Sequence, residues 1–277
     1  SSFLLLLQLN LKTRQNIPDI NIYCMRYCAQ SIINQSYKNF EHIIIDNLST
    51  DKTLDNLKNI YLANKLSSNL RIISEKDYGI SDAFNKGINT ASGDIIGILN
   101  SDDYYFSNDI FEKIIYSFNN QKILFVHGNI LFQDNLYGTN IRKPLLCDVR
   151  KAMPYNHPTM FLRRNLYTRI GLFETKYKYA MDFDLVVRLQ NIIGHPDLVS
   201  MYLTEEPLVV MNAGGASWKN ELISIKETKQ ILINHKLWDE NAYTNYYLRL
   251  ARIRIKELFN FIGLNYLVKI WRKLKWG

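Results

Sequence analysis

The chain has 277 residues, 47% hydrophobic and 22% charged, an ordinary globular composition that allows one large domain or one domain with an appendage. Its net charge of +8 is concentrated: from 249 to 277, Arg249, Arg252, Arg254, Lys256, Lys269, Arg272, Lys273 and Lys275 face a single acid, Glu257. That distribution argues against a generally nucleic-acid-binding protein and for a tail that binds a surface, and no stretch reaches the roughly 20 apolar residues of a membrane span.

In chain order, the first half alternates strand-like and helix-like segments. Residues 3–11 are apolar and extended, although "SSFLLLLQLNLK" lacks the basic leader of a secretory signal. Residues 20–36 carry Ile22, Met25, Cys28 and Ile32 at helical spacing. "FEHIIID" (40–46) reads as a buried strand, and Ser49 or Thr50 is placed to cap a helix bearing Leu54, Leu57 and Tyr61. Then come a strand at 70–74, a helix at 79–91, a strand at 94–100 and an amphipathic helix capped by Ser107. This β-α-β-α order predicts an α/β fold with a Rossmann-like, mostly parallel central sheet flanked by helices. Further on, strands are expected at 122–132, 136–142, 198–203 and 207–211, and a helix from Asp182 to about Ile193. The chain is helical from 220 onward, so 1–235 reads as the α/β unit and 236–277 as a helical, basic, amphipathic extension. Cys24, Cys28 and Cys147 form neither a disulfide framework nor a zinc pattern, as in a reducing cytosol.

Ligands of such sheets bind beyond the carboxyl ends of the strands, where two strands here end in acids: Asp46, and Asp102-Asp103 after "DIIGILNS". Two adjacent acids past a buried run need a partner. The next helix begins too late for them to cap it, so a hard divalent cation, Mn²⁺ or Mg²⁺, held together with a diphosphate is expected. Neither G-x-x-x-x-G-K-[ST] nor G-x-G-x-x-G occurs, so metal and side chains must hold any nucleotide.

"NQSYKNFEHIIIDNLSTDKTLDNL" (34–57), "SEKDYGISDAFNKGINTASGDIIGILNSDDYY" (74–105) and "NHPTMFLRRNLYTRIGLFETKYKYAMDFDLVVRL" (156–189) together resemble family-two glycosyltransferases, inverting enzymes of the GT-A fold that build bacterial surface polysaccharides. The resemblance runs from about residue 3 to 235 and implies the roles of individual residues. Asp46 matches the acid that contacts the nucleotide base, with Asn47 beside it. Asp77, Asp82 and Lys86 match a segment lining the donor pocket, and Asn10 ends the first strand there. Ser101, Asp102 and Asp103 match the D-x-D-type motif, with Asp103 on the metal and Asp102 at the ribose or the metal's water shell. Asp182 matches the catalytic base, although Asp is also a favoured helix N-cap. Asp184 reads as a first-turn acid serving the helix dipole. His157 falls where the family faces the acceptor or diphosphate, and Gly215, in the Gly214-Gly215 loop, either closes over the donor or simply turns the chain, with Ser217 as the cap of the next helix.

Three departures bear on these roles. Leu48 stands where the family usually has glycine, Met181 replaces the Glu that often precedes the base, and the first strand keeps Asn10 without the usual threonine. The Gln-x-x-Arg-Trp motif of processive synthases is absent, which predicts transfer of single sugars. The expected donor is a UDP-sugar and the expected acceptor a glycan or lipid-linked hydroxyl. Basic residues interleaved with Leu, Ile, Phe, Trp271 and Trp276 predict that the tail lies on a membrane surface, at the inner face of the cytoplasmic membrane. Two alternatives stand beside this reading: a sugar-phosphate nucleotidylyltransferase, and a non-catalytic basic adaptor for membrane or nucleic acid.

Overall fold

A computed structural model describes residues 3–9, 18–134, 138–194, 196–215, 220–264, 266–267 and 270. The parallel part of its sheet holds β1 (Phe3–Leu9), β2 (Phe40–Asp46), β3 (Leu70–Ser74) and β4 (Ile95–Asn100), crossed by helices α1 (Pro18–Ile33), α2 (Thr53–Ala63) and α3 (Ile80–Thr90). Period-two alternation divides the β-branched strands between two cores. Ile43 and Ile45 of β2, with Ile96 and Ile98 of β4, pack with Phe84 of α3 on one face. Ile44, Ile95 and Leu99 pack with Cys28 and Ile32 of α1 and Leu57 of α2 on the other. Each such isoleucine contributes on the order of 1.5–3 kcal/mol by burial.

After β4 come β5 (Tyr104–Tyr105), α4 (Ile110–Ser117), β6 (Phe125–Asp134), β7 (Gly138–Arg142), β8 (Phe161–Arg163), α5 (Arg164–Ile170), α6 (Met181–Ile193), a helical turn α7 (Pro196–Val199) and β9 (Ser200–Asn212). The strand order is β3-β2-β1-β4-β8-β6-β9-β5, with β7 paired to β6. Two antiparallel contacts seat β8 between β4 and β6. That junction depends on Gly97, which faces Phe161 in the register; a Cβ there would lie 2.5 Å from the Phe161 ring.

Several local expectations are corrected. Helix α2 starts at Thr53 rather than at a Ser49 or Thr50 cap, and the Thr53 N–H donates to Asp51 Oδ1 (3.0 Å). Helix α4 starts at Ile110, and Gln35 Oε1 accepts the Phe111 N–H (2.9 Å), so Ser107 is not its cap; the Ser107 hydroxyl bonds Asp109 and Glu206 instead. The two strands expected at 198–203 and 207–211 are one strand, β9, parallel to β6. Their register shifts beside Pro207, which has no N–H to give to a ladder.

The C-terminal part consists of α8 (Glu221–Asn234) and α9 (Glu240–Phe261). It does not stand apart from the α/β unit. Ala242 is buried in the main core, Leu237 and Trp238 pack against it, and Arg150 pairs with both Asp148 (2.6 Å) and Asp239 (2.7 Å). No helix among the described residues is long and apolar enough to cross a membrane.

Candidate active site

The register of the parallel strands sets the rim. Leu9 of β1 lies opposite Asp46 of β2, while Gln8 lies opposite Asn100 of β4, so β1 separates the two acidic strand ends. Asp46 is therefore not on the strand next to the Asp102-Asp103 turn. It is two strands away, roughly 10 Å at the usual spacing. Asn10 and Ser217 lie outside the described residues.

Asp46 is 0% exposed. Its carboxylate accepts the Ser49 N–H (3.0 Å), the Ser49 hydroxyl and the Ser74 hydroxyl (2.6 Å), and thereby ties the loop after β2 to the end of β3. Ser49 thus holds Asp46 rather than a helix. Between them Leu48 has φ +56°, so the loop keeps the left-handed backbone that glycine would favour despite the bulkier side chain.

Next to it, Asn47 Oδ1 accepts the Asp77 N–H (3.1 Å), and Asp77 Oδ1 accepts the Gly79 N–H (3.0 Å). Gly79, at φ +123°, makes the turn into α3. Asp82 accepts the Tyr78 N–H (3.0 Å) and pairs with Lys86 (3.4 Å). Lys86 also meets Glu75 (2.8 Å) and the Lys76 carbonyl (2.6 Å), and its hydrogen bond to Glu75 is the main cause that raises its pKa. Asn47 and Asp77 are thus presented at the rim, while Asp82 and Lys86 brace the loop that presents them.

The Asp102-Asp103 turn closes on the Asn100 carbonyl, which accepts the Asp103 N–H (3.1 Å). Ser101 and Asp102 are half-buried, whereas Asp103 is 2% exposed. Asp103 Oδ2 accepts from the Asn100 side-chain amide (3.1 Å) and Oδ1 from the Asn212 N–H (3.2 Å). The Asn212 side chain donates to the Asp102 carbonyl. No helix N-terminus is involved. Burial, and then the charge of Asp102, push the Asp103 carboxyl well above the usual carboxylate range, opposed by the Asn100 and Asn212 donors.

Among the described residues, no group of three or more His, Cys, Asp or Glu is placed to hold a metal. Asp102 and Asp103 do supply two hard carboxylates on adjacent residues. That donor set fits Mn²⁺ or Mg²⁺ when phosphate oxygens and water complete the coordination.

His157 and Asp182 are near enough for the charge of one to act on the other. Asp182 is the second residue of α6, preceded by Ala180 as N-cap residue, and its Oδ1 accepts the Phe183 N–H (2.8 Å). His157 packs beside the Phe84 and Phe173 rings (centroids 6.1 and 5.9 Å), which also touch each other (5.2 Å). Burial lowers the His157 pKa, and the charge of Asp182 opposes that shift. Asp184 is not simply a first-turn acid. It is buried and pairs with Arg188 (2.9 Å) and His235 (3.1 Å), which joins α6 to α8. Gly214, at φ +102°, turns the chain out of β9 into Gly215, just after Asn212, which bonds the Asp102-Asp103 turn.

Asn212 and Glu227 are two further residues tied to these segments by hydrogen bonds. Asn212 has no motif around it; its only signal is the polar end of an apolar strand. Glu227 of α8 accepts three consecutive backbone N–H groups, those of Lys178, Tyr179 and Ala180 (2.9, 2.8 and 2.9 Å), with no signal in the sequence at all.

The model of the family "Glycosyl transferase family 2" matches residues 24–183 of this chain. A PGL/p-HBAD biosynthesis glycosyltransferase of Mycobacterium bovis is 27% identical over 226 residues, covering 80% of this chain and 84% of that protein. Among solved structures, a mannosyltransferase from Pyrobaculum calidifontis in complex with GDP-Man and Mn²⁺ superposes with a TM-score of 0.63 at 13% identity, over 98% of this chain and 82% of its own. S. aureus TarS 1–349 in complex with UDP-GlcNAc gives 0.61 at 15% identity, over 84% of this chain and 64% of its own. The likeness to these structures shows that the fold is GT-A.

Proposed function

The chain belongs to glycosyl transferase family 2, and from that premise we propose that it moves a single sugar from a nucleotide-sugar donor to a glycan or lipid-linked hydroxyl, with inversion and with metal assistance. Family membership leaves the nucleotidylyltransferase and adaptor alternatives without support. The observation that carries the reading is the Asp102-Asp103 turn at the end of β4, buried and held by Asn100 and Asn212 rather than spent on a helix.

Asp46 backs the pocket for the base by fixing the loop that carries Asn47, and Asp77 lines the same wall. Asp82 and Lys86 keep that wall rigid, while Ser101 and Asp102 face the ribose. Asn10, which follows Leu9 in the sequence, is assigned to the donor side as well. Asp103 and Asp102 hold Mn²⁺ or Mg²⁺, which, when bound, neutralises charge on the departing diphosphate. The donor is assigned as a UDP-sugar; the solved relatives bind UDP-GlcNAc in one case and GDP-Man in the other.

Asp182 takes the proton of the acceptor hydroxyl as its oxygen attacks the anomeric carbon, and the nucleoside diphosphate leaves from the opposite face. One displacement inverts the centre, so a single base suffices. The aromatic walls of Phe84 and Phe173 shield His157 beside that base, on the acceptor or diphosphate side, and Gly215 lies in the loop bordering the donor.

Catalysis is assigned to 1–235 and membrane contact to 236–277. Helix α9 exposes Tyr247, Leu248, Ile255, Leu258 and Phe261 among its basic residues, a pattern suited to an anionic interface on the cytoplasmic side. Part of that charge is already used, since Lys256 pairs with Glu221 and Arg254 with Glu257.

Asp182→Asn tests the base. It should leave Mn²⁺-dependent UDP binding intact by calorimetry and slow nucleoside diphosphate release to acceptor by about 10²–10⁴-fold. Transfer at the wild-type rate would place the base elsewhere, and pyrophosphate exchange in place of diphosphate release would overturn the reaction class.

A further inference from the structure

Glu227 lies on α8, beyond the stretch 24–183 that defines the family match. Its Oε1 accepts the Lys178 N–H and its Oε2 accepts both the Tyr179 and Ala180 N–H groups. Ala180 is the residue from which α6 starts, and α6 has no side-chain cap of its own. The same helix reaches this loop again through the Ser224 hydroxyl, on the Tyr179 carbonyl (3.4 Å), and through Asn234, on the Tyr177 hydroxyl (2.9 Å). Ser81 of α3 holds the Tyr177 carbonyl from the other side (3.3 Å).

We propose that Glu227 is a positioning residue for Asp182, setting the entry of α6 so that the Asp182 carboxylate meets the acceptor hydroxyl. The proposal rests on the reading of Asp182 as the base. Three successive N–H groups aimed at one carboxylate fix three peptide planes, and charge-assisted hydrogen bonds are the strong ones. The last of those planes lies two residues before Asp182. A general base works only within hydrogen-bond reach of the proton it takes, and a displacement of about 1 Å costs on the order of a hundredfold in rate. Glutamine cannot substitute, because its amide accepts on one oxygen only and would turn its own N–H groups toward N–H donors.

A double-mutant cycle on the full chain tests this, with nucleoside diphosphate release from a panel of UDP- and GDP-sugars, Mn²⁺ and a glycan acceptor as the rate, and calorimetry with UDP and Mn²⁺ as the binding control. Glu227→Gln should lower kcat at least about tenfold while UDP affinity and donor KM stay within about twofold. Introduced into Asp182→Asn, the same change should cost less than about twofold, because the group it positions is already gone. A loss that repeats in full in the Asp182→Asn background overturns the positioning role, as does a Glu227→Gln enzyme with wild-type kcat. Wild-type transfer by Asp182→Asn alone is a different result, which removes the base reading and this proposal together. If the glutamine variant does not fold, Glu227→Asp keeps the charge but shortens the reach, and passes through the same cycle with the same deciding outcomes.

Discussion

At the scale of the residue, Leu48 carries a strained backbone in the loop that Asp46 organises. A left-handed non-glycine residue costs on the order of 1–3 kcal/mol, and glycine there would give back roughly 0.5–1 kcal/mol as unfolded-state entropy. Leu48 is exposed, so little packing is lost with it. Leu48→Gly should therefore raise Tm by about 2–4 °C, whereas Leu48→Ala, which keeps the strain, should not; a fall in Tm for the glycine variant would show that the side chain packs usefully. Asp103 carries strain of another kind. Its carboxyl pKa is raised in the folded chain, so between the ordinary carboxylate value and the raised one the folded protein holds a proton that the unfolded chain has released. Stability from this group falls as pH rises through that window. The metal-free melting temperature of the wild type should thus fall as pH rises through that window, a pH dependence that Asp103→Asn should lose, and the same variant should lack Mn²⁺-dependent UDP binding in calorimetry. Unchanged binding would sink the metal role. The acids at 102 and 103 were legible in the sequence because no helix start lay close enough to claim them. Asn212 was not, because its bonds to that turn cross 109 and 110 residues of chain.

At the scale of the element, apolar periodicity located the strands and helices of the first half, since each buries one regular face. It failed where an element ends on a contact from elsewhere. Helix α4 starts where Gln35 reaches it, α6 where Glu227 does, and the shift within β9 falls at Pro207. The β4–β8 junction is a tightly constrained seam, because Phe161 occupies the space a side chain at position 97 would need. Gly97→Ala should cost about 1–3 kcal/mol by overpacking, read as a Tm lowered by roughly 2–4 °C per kcal/mol. An unchanged Tm would mean that Phe161 turns aside freely.

At the scale of the whole molecule, the C-terminal part of the chain contributes to the core and also carries most of the net positive charge. Truncation at 235 removes Trp238, Ala242 and the Arg150–Asp239 pair from the folded unit, so it should lower Tm rather than release an intact catalytic domain. Removing only 262–277 deletes four of the eight basic residues. At about 1 kcal/mol per basic residue near an anionic surface, this should weaken co-sedimentation with anionic vesicles at least about tenfold and leave Tm nearly unchanged. Equal vesicle binding by both chains would remove the membrane role of the tail.

The sequence by itself determined the fold class and the acidic pair after β4, because these depend on local periodicity and on residue types at short spacing; its resemblance to family-two glycosyltransferases pointed to the family and proposed Asp182 as the base. Only the tertiary structure decided that β1 lies between Asp46 and the acidic pair, that Asp184 is spent on Arg188 and His235, that Asn212 ties down the Asp102-Asp103 turn and that Glu227 ties down the loop before α6. Those facts depend on strand order and on hydrogen bonds between groups far apart along the chain, and a linear pattern carries no information about which distant N–H a buried carboxylate will find.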